Sequence, residues 1–264
     1  LSKIESERYR ALGELKGDNS MLGKVTEGDL PGQKIVFGIA PDSGRSYRME
    51  SYVISGNKIF VYKTNLLGDN EYDEPKLAKL KSASKLLSSR SENEIPQSPG
   101  LCIDGGFVSE SPLLTHENFS VGIRLAEFPD VHFSIATTKK EFFHDSDALE
   151  PRLRAAEEEA KLSGFGSWYS RIKILRQGNA TIEHWNGYEV LARKPAQADQ
   201  KEAYEFAFLS QGEPKNPYLP LLDIKLHSGV SDNKTGLVKT SISDDDAVVL
   251  WDKLTQSIRT RPVK

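Results

Sequence analysis

Thr181-Ile-Glu-His-Trp-Asn-Gly-Tyr-Glu-Val-Leu-Ala192 is the stretch from which the fold can be read. Runs of β-branched, aromatic and aliphatic residues flank Asn186-Gly187. Asn-Gly between such runs is a strong hairpin signal, because both residues accept the positive φ of a tight turn. Ile172–Arg176 precedes it as a strand segment, and Glu202–Leu209 and Leu221–Leu226 follow as two more. Strands this close together in sequence predict an antiparallel sheet.

Working outward, an Ala- and Glu-rich helix is predicted over Leu149–Leu162, capped by Asp147 or by Glu150 ahead of Pro151 and stopped by Gly164. Phe119–Leu125 and Val131–Thr137 form a strand pair joined through Pro129-Asp130. The last helix opens at Ser243-Asp-Asp-Asp246, which approximates a capping box with acids on the positive end of the helix dipole. Ala247, Leu250, Trp251, Leu254 and Ile258 form its apolar stripe.

The first half repeats the order. An amphipathic segment at Leu1–Leu15 precedes a turn at Pro31-Gly32, strands at Lys34–Phe37, Tyr47–Ile54 and Lys58–Lys63, and a second turn at Ser55-Gly-Asn57. A helix then follows Asp73, with Leu77, Leu80, Ser84 and Leu87 on one face. Ser91–Gly100 has no periodicity and two prolines, so the domain boundary is placed there. Aligning Gly32–Phe37 with Gly187–Ala192, Tyr47–Tyr52 with Tyr204–Leu209 and the helix after Asp73 with the last helix makes the halves copies of one unit. The expected fold is therefore α+β, with two tandem related domains, each an antiparallel sheet with two helices packed on one face. The domains are residues 1–94 and 95–264. Leu101-Cys-Ile-Asp-Gly-Gly-Phe-Val108 opens the second. The pair Phe119–Leu125 and Val131–Thr137 has no counterpart ahead of Leu1, so either the chain is trimmed there or the first domain has fewer strands.

Composition narrows the function. The 264 residues carry a net charge of -3, with no basic surplus for nucleic acid. No apolar run is long enough to span a bilayer, and the polar opening at Leu1–Arg8 contains no signal peptide. Cys102 is the single cysteine, so an internal disulfide and a thiolate zinc site are excluded. No nucleophile elbow, phosphate-binding loop, H-E-x-x-H or dinucleotide glycine pattern occurs; Gly164-Phe-Gly166 is a helix stop. His144-Asp-Ser-Asp147 and Asp244-Asp-Asp246 read as helix approaches in preference to metal sites, and the five histidines show no ligand spacing. Catalytic residues, metal and cofactor are therefore all expected to be absent.

Binding remains. The second half carries loops longer than its elements require, Gln211–Pro220 and Ser228–Ser243. With the aromatics beside its first helix, these supply the candidate contact residues Phe142, Phe143, His144, Trp168, Tyr169, Lys215, Tyr218, Asp232 and Lys234.

The run Leu101–Val108, followed by Phe119-Ser-Val-Gly-Ile-Arg-Leu125 and Phe128-Pro-Asp130, resembles the second domain of the immunity proteins that bacteria pair with type VI secretion lipase effectors. Gly32–Phe37 and its hairpin resemble that family's first domain, whose own opening strand segment is missing here. The resemblance implies a two-domain clamp that binds a cognate phospholipase, as a monomer or 1:1 complex, in the periplasm. The alternatives are a non-catalytic periplasmic ligand- or peptide-binding module and a hydrolase with scattered catalytic residues.

Overall fold

The computed structural model of the chain describes residues 24–39, 47–56, 58–64, 74–112, 114 and 116–260. The chain divides into two compact units, the first running to Leu114 and the second spanning Thr115–Pro262. The molecule is α+β, and every strand pairing among the described residues is antiparallel. The amphipathic segment expected at Leu1–Leu15 lies outside the described residues.

In the first unit, β1 (Lys24–Glu27), β2 (Lys34–Ile39), β3 (Tyr47–Ser55) and β4 (Lys58–Lys63) form a four-stranded meander. Gly32 at φ 69° and Gly56 at φ 61° supply its turns. Helix α1 (Glu74–Ser84) buries Leu77 and Leu80 against Ile35, Phe37, Tyr47 and Met49. Beside this core runs a buried polar chain: Gln33 Nε2 donates to Ser51 Oγ at 2.8 Å, which lies 3.0 Å from Ser84 Oγ, which donates to the Leu80 carbonyl at 2.8 Å. Leu87 was expected to extend the helix and instead opens β5 (Leu87–Ser89). Leu101–Val108 was expected to open the second domain. It forms two strands, β6 (Gly100–Ile103) and β7 (Gly106–Ser109), turning at Gly105 with φ 69°. β7 lies between β5 and β6, and this pairing keeps the segment in the first unit.

The second unit is one sheet of six strands in the order β10-β11-β12-β13-β9-β8. These are β8 (Glu117–Arg124), β9 (His132–Lys139), β10 (Lys173–Ile182), β11 (Trp185–Lys194), β12 (Ala203–Ser210) and β13 (Leu221–His227). Helix α2 (Leu149–Leu162), the single turn α3 (Gly166–Tyr169) and helix α4 (Asp244–Ser257) accompany it.

Two helices on one face is not what the second unit contains. Ala247 and Trp251 of α4 pack with Leu191, Phe206, Phe208 and Ile224. Leu149 of α2 packs with Val190, Ala192 and Leu209. Successive strand residues point to opposite faces, so the two helices cover opposite sides of the sheet. The first unit shows one helix among the described residues.

The caps and turns explain several departures from expectation. Ser243 caps α4 as expected, its Oγ accepting from Asp246 N at 3.2 Å. The residue ahead of α2 is Ala148, with no side-chain cap, so neither Asp147 nor Glu150 serves there. Gly164 at φ 80° ends α2, with Phe165 N donating to the Ala160 carbonyl at 2.8 Å in a Schellman closure. The hairpin read from Asn186-Gly187 exists, but it turns at Glu183-His184, with Glu183 at φ 52° and Ile182 paired to Trp185. Gly187 lies within β11, where a Cβ would sit 2.4 Å from the Leu209 carbonyl oxygen. The glycine is required by the close approach of β12, not by the turn.

Candidate partner-binding surface

The long loop after β12 is built as a fixed ledge. Gly212 at φ 64° brings the chain so close to its own return that a Cβ would meet the Leu219 carbonyl at 2.3 Å. Glu213 N donates to the Leu219 carbonyl at 2.7 Å, closing the loop. Gln211 Nε2 donates to the His144 carbonyl at 2.6 Å, and Lys215 N to the Lys140 carbonyl at 2.8 Å. Trp185 Nε1 donates to the Pro220 carbonyl at 2.9 Å. His184 Nε2 lies 3.3 Å from the Tyr218 carbonyl and its ring stacks on Trp185 at 3.9 Å. These bonds tie the loop to the approach of α2 on one side and to the β10–β11 turn on the other.

Between those elements lies a cleft of about 900 Å³, lined by Asp145, Glu150, Thr181, His184, Tyr188, Gln211 and Glu213 among others. No lysine or arginine lines it. Glu150 is paired with Arg154 at 2.6 Å, and the Glu213 carboxylate accepts from Asn216 Nδ2 at 2.7 Å. The Glu183 carboxyl beside it is held below its ordinary value by the Thr260 hydroxyl, then by the Thr260 backbone N–H and His184. The cleft is open, polar and weakly acidic. His184 on its wall pairs through Nδ1 with the Glu183 carboxylate at 2.5 Å and lies 3.2 Å from the Thr260 hydroxyl.

None of the nine sequence-nominated residues lines this cleft, but five lie in the loop after β12 or in the segment ahead of α2 to which it is bonded. Phe142 is 62% exposed with its ring edge-on to His144, Tyr218 is 56% exposed, and Lys215 is held at φ 60°. Phe143 is half-buried, with Lys140 Nζ 5.9 Å from its ring centre. The other four lie elsewhere. Trp168 Nε1 donates to the Pro195 carbonyl at 3.2 Å and Tyr169 Oη to the Leu153 carbonyl at 3.3 Å, so both side chains are half spent on internal packing. Burial, then the nearby Glu157, pushes the Tyr169 hydroxyl up. Trp168 and Lys234 line a second, smaller hollow of about 350 Å³ with Lys194, Lys201 and Glu205. Asp232 sits at φ 48° in a tight turn closed by Ser231 and Lys234.

Gln211 and Glu213 belong to the loop that the sequence nominated as a whole, whereas His184 was not nominated. The Glu-His pair between two apolar runs was the available signal, and the stronger Asn-Gly pattern hid it. Asp244, one of the acids weighed for a cation, is instead bonded to Lys173 at 2.7 Å, Tyr204 at 2.7 Å and Arg193 at 3.1 Å. Among the described residues, no three His, Cys, Asp or Glu side chains converge, and no helix is long and apolar enough to cross a membrane. Cys102 is half-buried on β6.

Comparison with known proteins places this arrangement. Residues 94–263 match the family model described as Tle cognate immunity protein 4, C-terminal domain. The structure of the immunity protein TplEi of the type VI secretion system of Pseudomonas aeruginosa, complexed with "L" peptide, superposes with a TM-score of 0.67 at 23% identity, covering 99% of this chain and 85% of that one. The apo form of TplEi gives a TM-score of 0.68 at 22% identity over 100% and 86%. The Tle4–Tli4 complex contains a chain with a TM-score of 0.71 at 22% identity, over 100% of this chain and 84% of that one. No curated protein matches the sequence.

Proposed function

The chain belongs to the Tle cognate immunity protein 4 family, and from that premise we propose that it neutralises its type VI secretion lipase by seating on the lid and the entrance to the active site. The match over residues 94–263 carries this reading. The fixed ledge after β12 supports it: a loop held by bonds at both ends loses little freedom on binding, and preorganisation of this kind converts contact area into affinity.

The mechanism needs no reactive group from the inhibitor. A lipase must open a mobile lid to admit lipid. A partner that binds the closed or half-open form more tightly than the open one draws the population towards it and blocks the entrance. Protecting a cell requires affinity of about nanomolar, or ~12 kcal/mol. Contacts from more than one loop of a standard-size interface of roughly 1,600 Å² meet that demand. Lipase toxins of this class reach membrane lipids from the periplasm, so the protein acts there.

Mixing the protein with its lipase tests the reading. The two co-elute as one species, and phospholipid hydrolysis stops in the mixed fraction. Separate elution with undiminished hydrolysis overturns it.

A further inference from the structure

The six-stranded sheet has two edges, and they differ. Edge strand β10 is irregular: its register with β11 shifts between Ile174 and Arg176, and Gly178 sits at φ 148°. Its charged side chains reach over to α4, Lys173 to Asp244 and Arg176 to Asp252 at 2.6 Å. Bulges and charges are the devices by which proteins keep sheet edges from pairing with other chains. Edge strand β8 has neither along its middle. Its eight residues run in unbroken register with β9, without proline or bulge.

β8 is also apolar where an edge would be expected to be guarded. Phe119, Val121 and Ile123 are 41%, 38% and 38% exposed, and pair with Thr137, Ile135 and Phe133 of β9. They therefore lie on the face covered by α4, as a stripe continuing the core beyond it. At the strand's end, Arg124 donates to the neutral Asn233 Oδ1 at 2.8 Å and has no carboxylate partner among the described residues. Among the described residues no strand pairs with the outer side of β8, whose outward N–H and C=O groups at alternate residues bond to water in the free chain and can be taken up by an added extended strand.

A second copy of this chain fits poorly. Two-fold antiparallel pairing with Val121 on Val121 keeps the apolar stripes together but sets Arg124 against Asn118. Shifting by one residue sets Arg124 against Glu117 but turns the stripes to opposite faces. Glu117 is in any case paired with Lys139 at 3.2 Å. One strand from a different protein can satisfy both demands at once.

We propose that β8 accepts an extended segment of the lipase as an added antiparallel strand. From its N-terminus that segment reads acidic, apolar, any, apolar, any, apolar: the acid opposite Arg124, the apolar residues opposite Ile123, Val121 and Phe119. The inference rests on the lipase-binding reading above.

Hydrogen exchange of the full chain, free and mixed with its lipase, tests it. In the complex, alternate amides of residues 117–124 slow by about tenfold or more, while those of residues 173–176, on the guarded edge and outside the cleft lining, do not change. Val121→Lys weakens the complex by about tenfold or more, whereas Ser120→Lys, on the other face, changes it by about threefold or less. No complex with the unaltered chain would sink the lipase reading and this inference with it. A full-strength complex with β8 exchanging as in the free chain overturns this inference alone, as does a free chain already dimeric with β8 protected.

Discussion

Asp244 holds three partners at the start of α4, and their sum shows in its titration. Burial raises its carboxyl, but the bonds from Lys173 and Tyr204 and the charge of Arg193 outweigh it and leave the value below the ordinary 3.8. His227 is shifted the same way for another reason. Burial first, then Lys194, Lys225 and His132 against the opposing Glu205, hold its imidazole below the ordinary 6.5. In both cases the unfolded chain binds a proton more readily than the folded one, so stability rises with pH across the window. The protein should lose stability as pH falls below 6.5, through His227, and again below 3.8, through Asp244. Urea midpoints measured across this range check it. His227→Gln should flatten the upper limb and Asp244→Asn the lower, and unchanged slopes would contradict the assignment. Ser243 and Trp251 were legible in the sequence because a cap and a helical stripe are local patterns. His227 was not, because its burial depends on Glu205 and His132 standing beside it on neighbouring strands.

Elements were read more accurately than their joints. Asn186-Gly187 announced the hairpin, yet the turn forms at Glu183-His184 because Gly187 is claimed by the strand alongside. The consequence is measurable. Gly187→Ala, which forces a Cβ onto the Leu209 carbonyl, should cost about 1–3 kcal/mol. Gly122→Ala on β8, where a Cβ meets nothing within 4 Å, should be neutral or stabilising by about 0.5 kcal/mol. Chemical denaturation of the pair separates the two kinds of strand glycine. The proposed repeat slipped by one residue at the same place. Phe37 pairs with Met49 and Leu191 with Phe206, so Phe37 corresponds to Leu191, not to Ala192. A one-residue slip swaps the faces of a strand, and two-residue periodicity alone cannot detect it. In the loop after β12, length and Tyr218 drew attention, but its tethers through Gln211 and Trp185 are visible only once folded. Tyr218→Ala should weaken lipase binding by about tenfold or more, with stability changed by less than about 0.5 kcal/mol. Calorimetric titration beside a melting curve reads both.

At the scale of the whole molecule, the α+β class and the order of elements followed from spacing, because each strand and helix carries its own period. Which elements share a core did not. β6 and β7 pair with β5 and cluster with the first unit, while the family match that begins at residue 94 takes them with the second half. The two helices of the second unit were expected on one face and took opposite ones, as the alternating apolar residues Val190, Leu191 and Ala192 allow. A sheet buried on both sides of β11 and β12 stiffens the loops that leave its ends, which is what a protein acting by shape requires. The most direct measurement is a titration of the lipase with this protein, following phospholipid hydrolysis at fixed enzyme. Activity should fall linearly and reach zero near one equivalent. Hydrolysis that persists at a large excess of the protein would contradict the account.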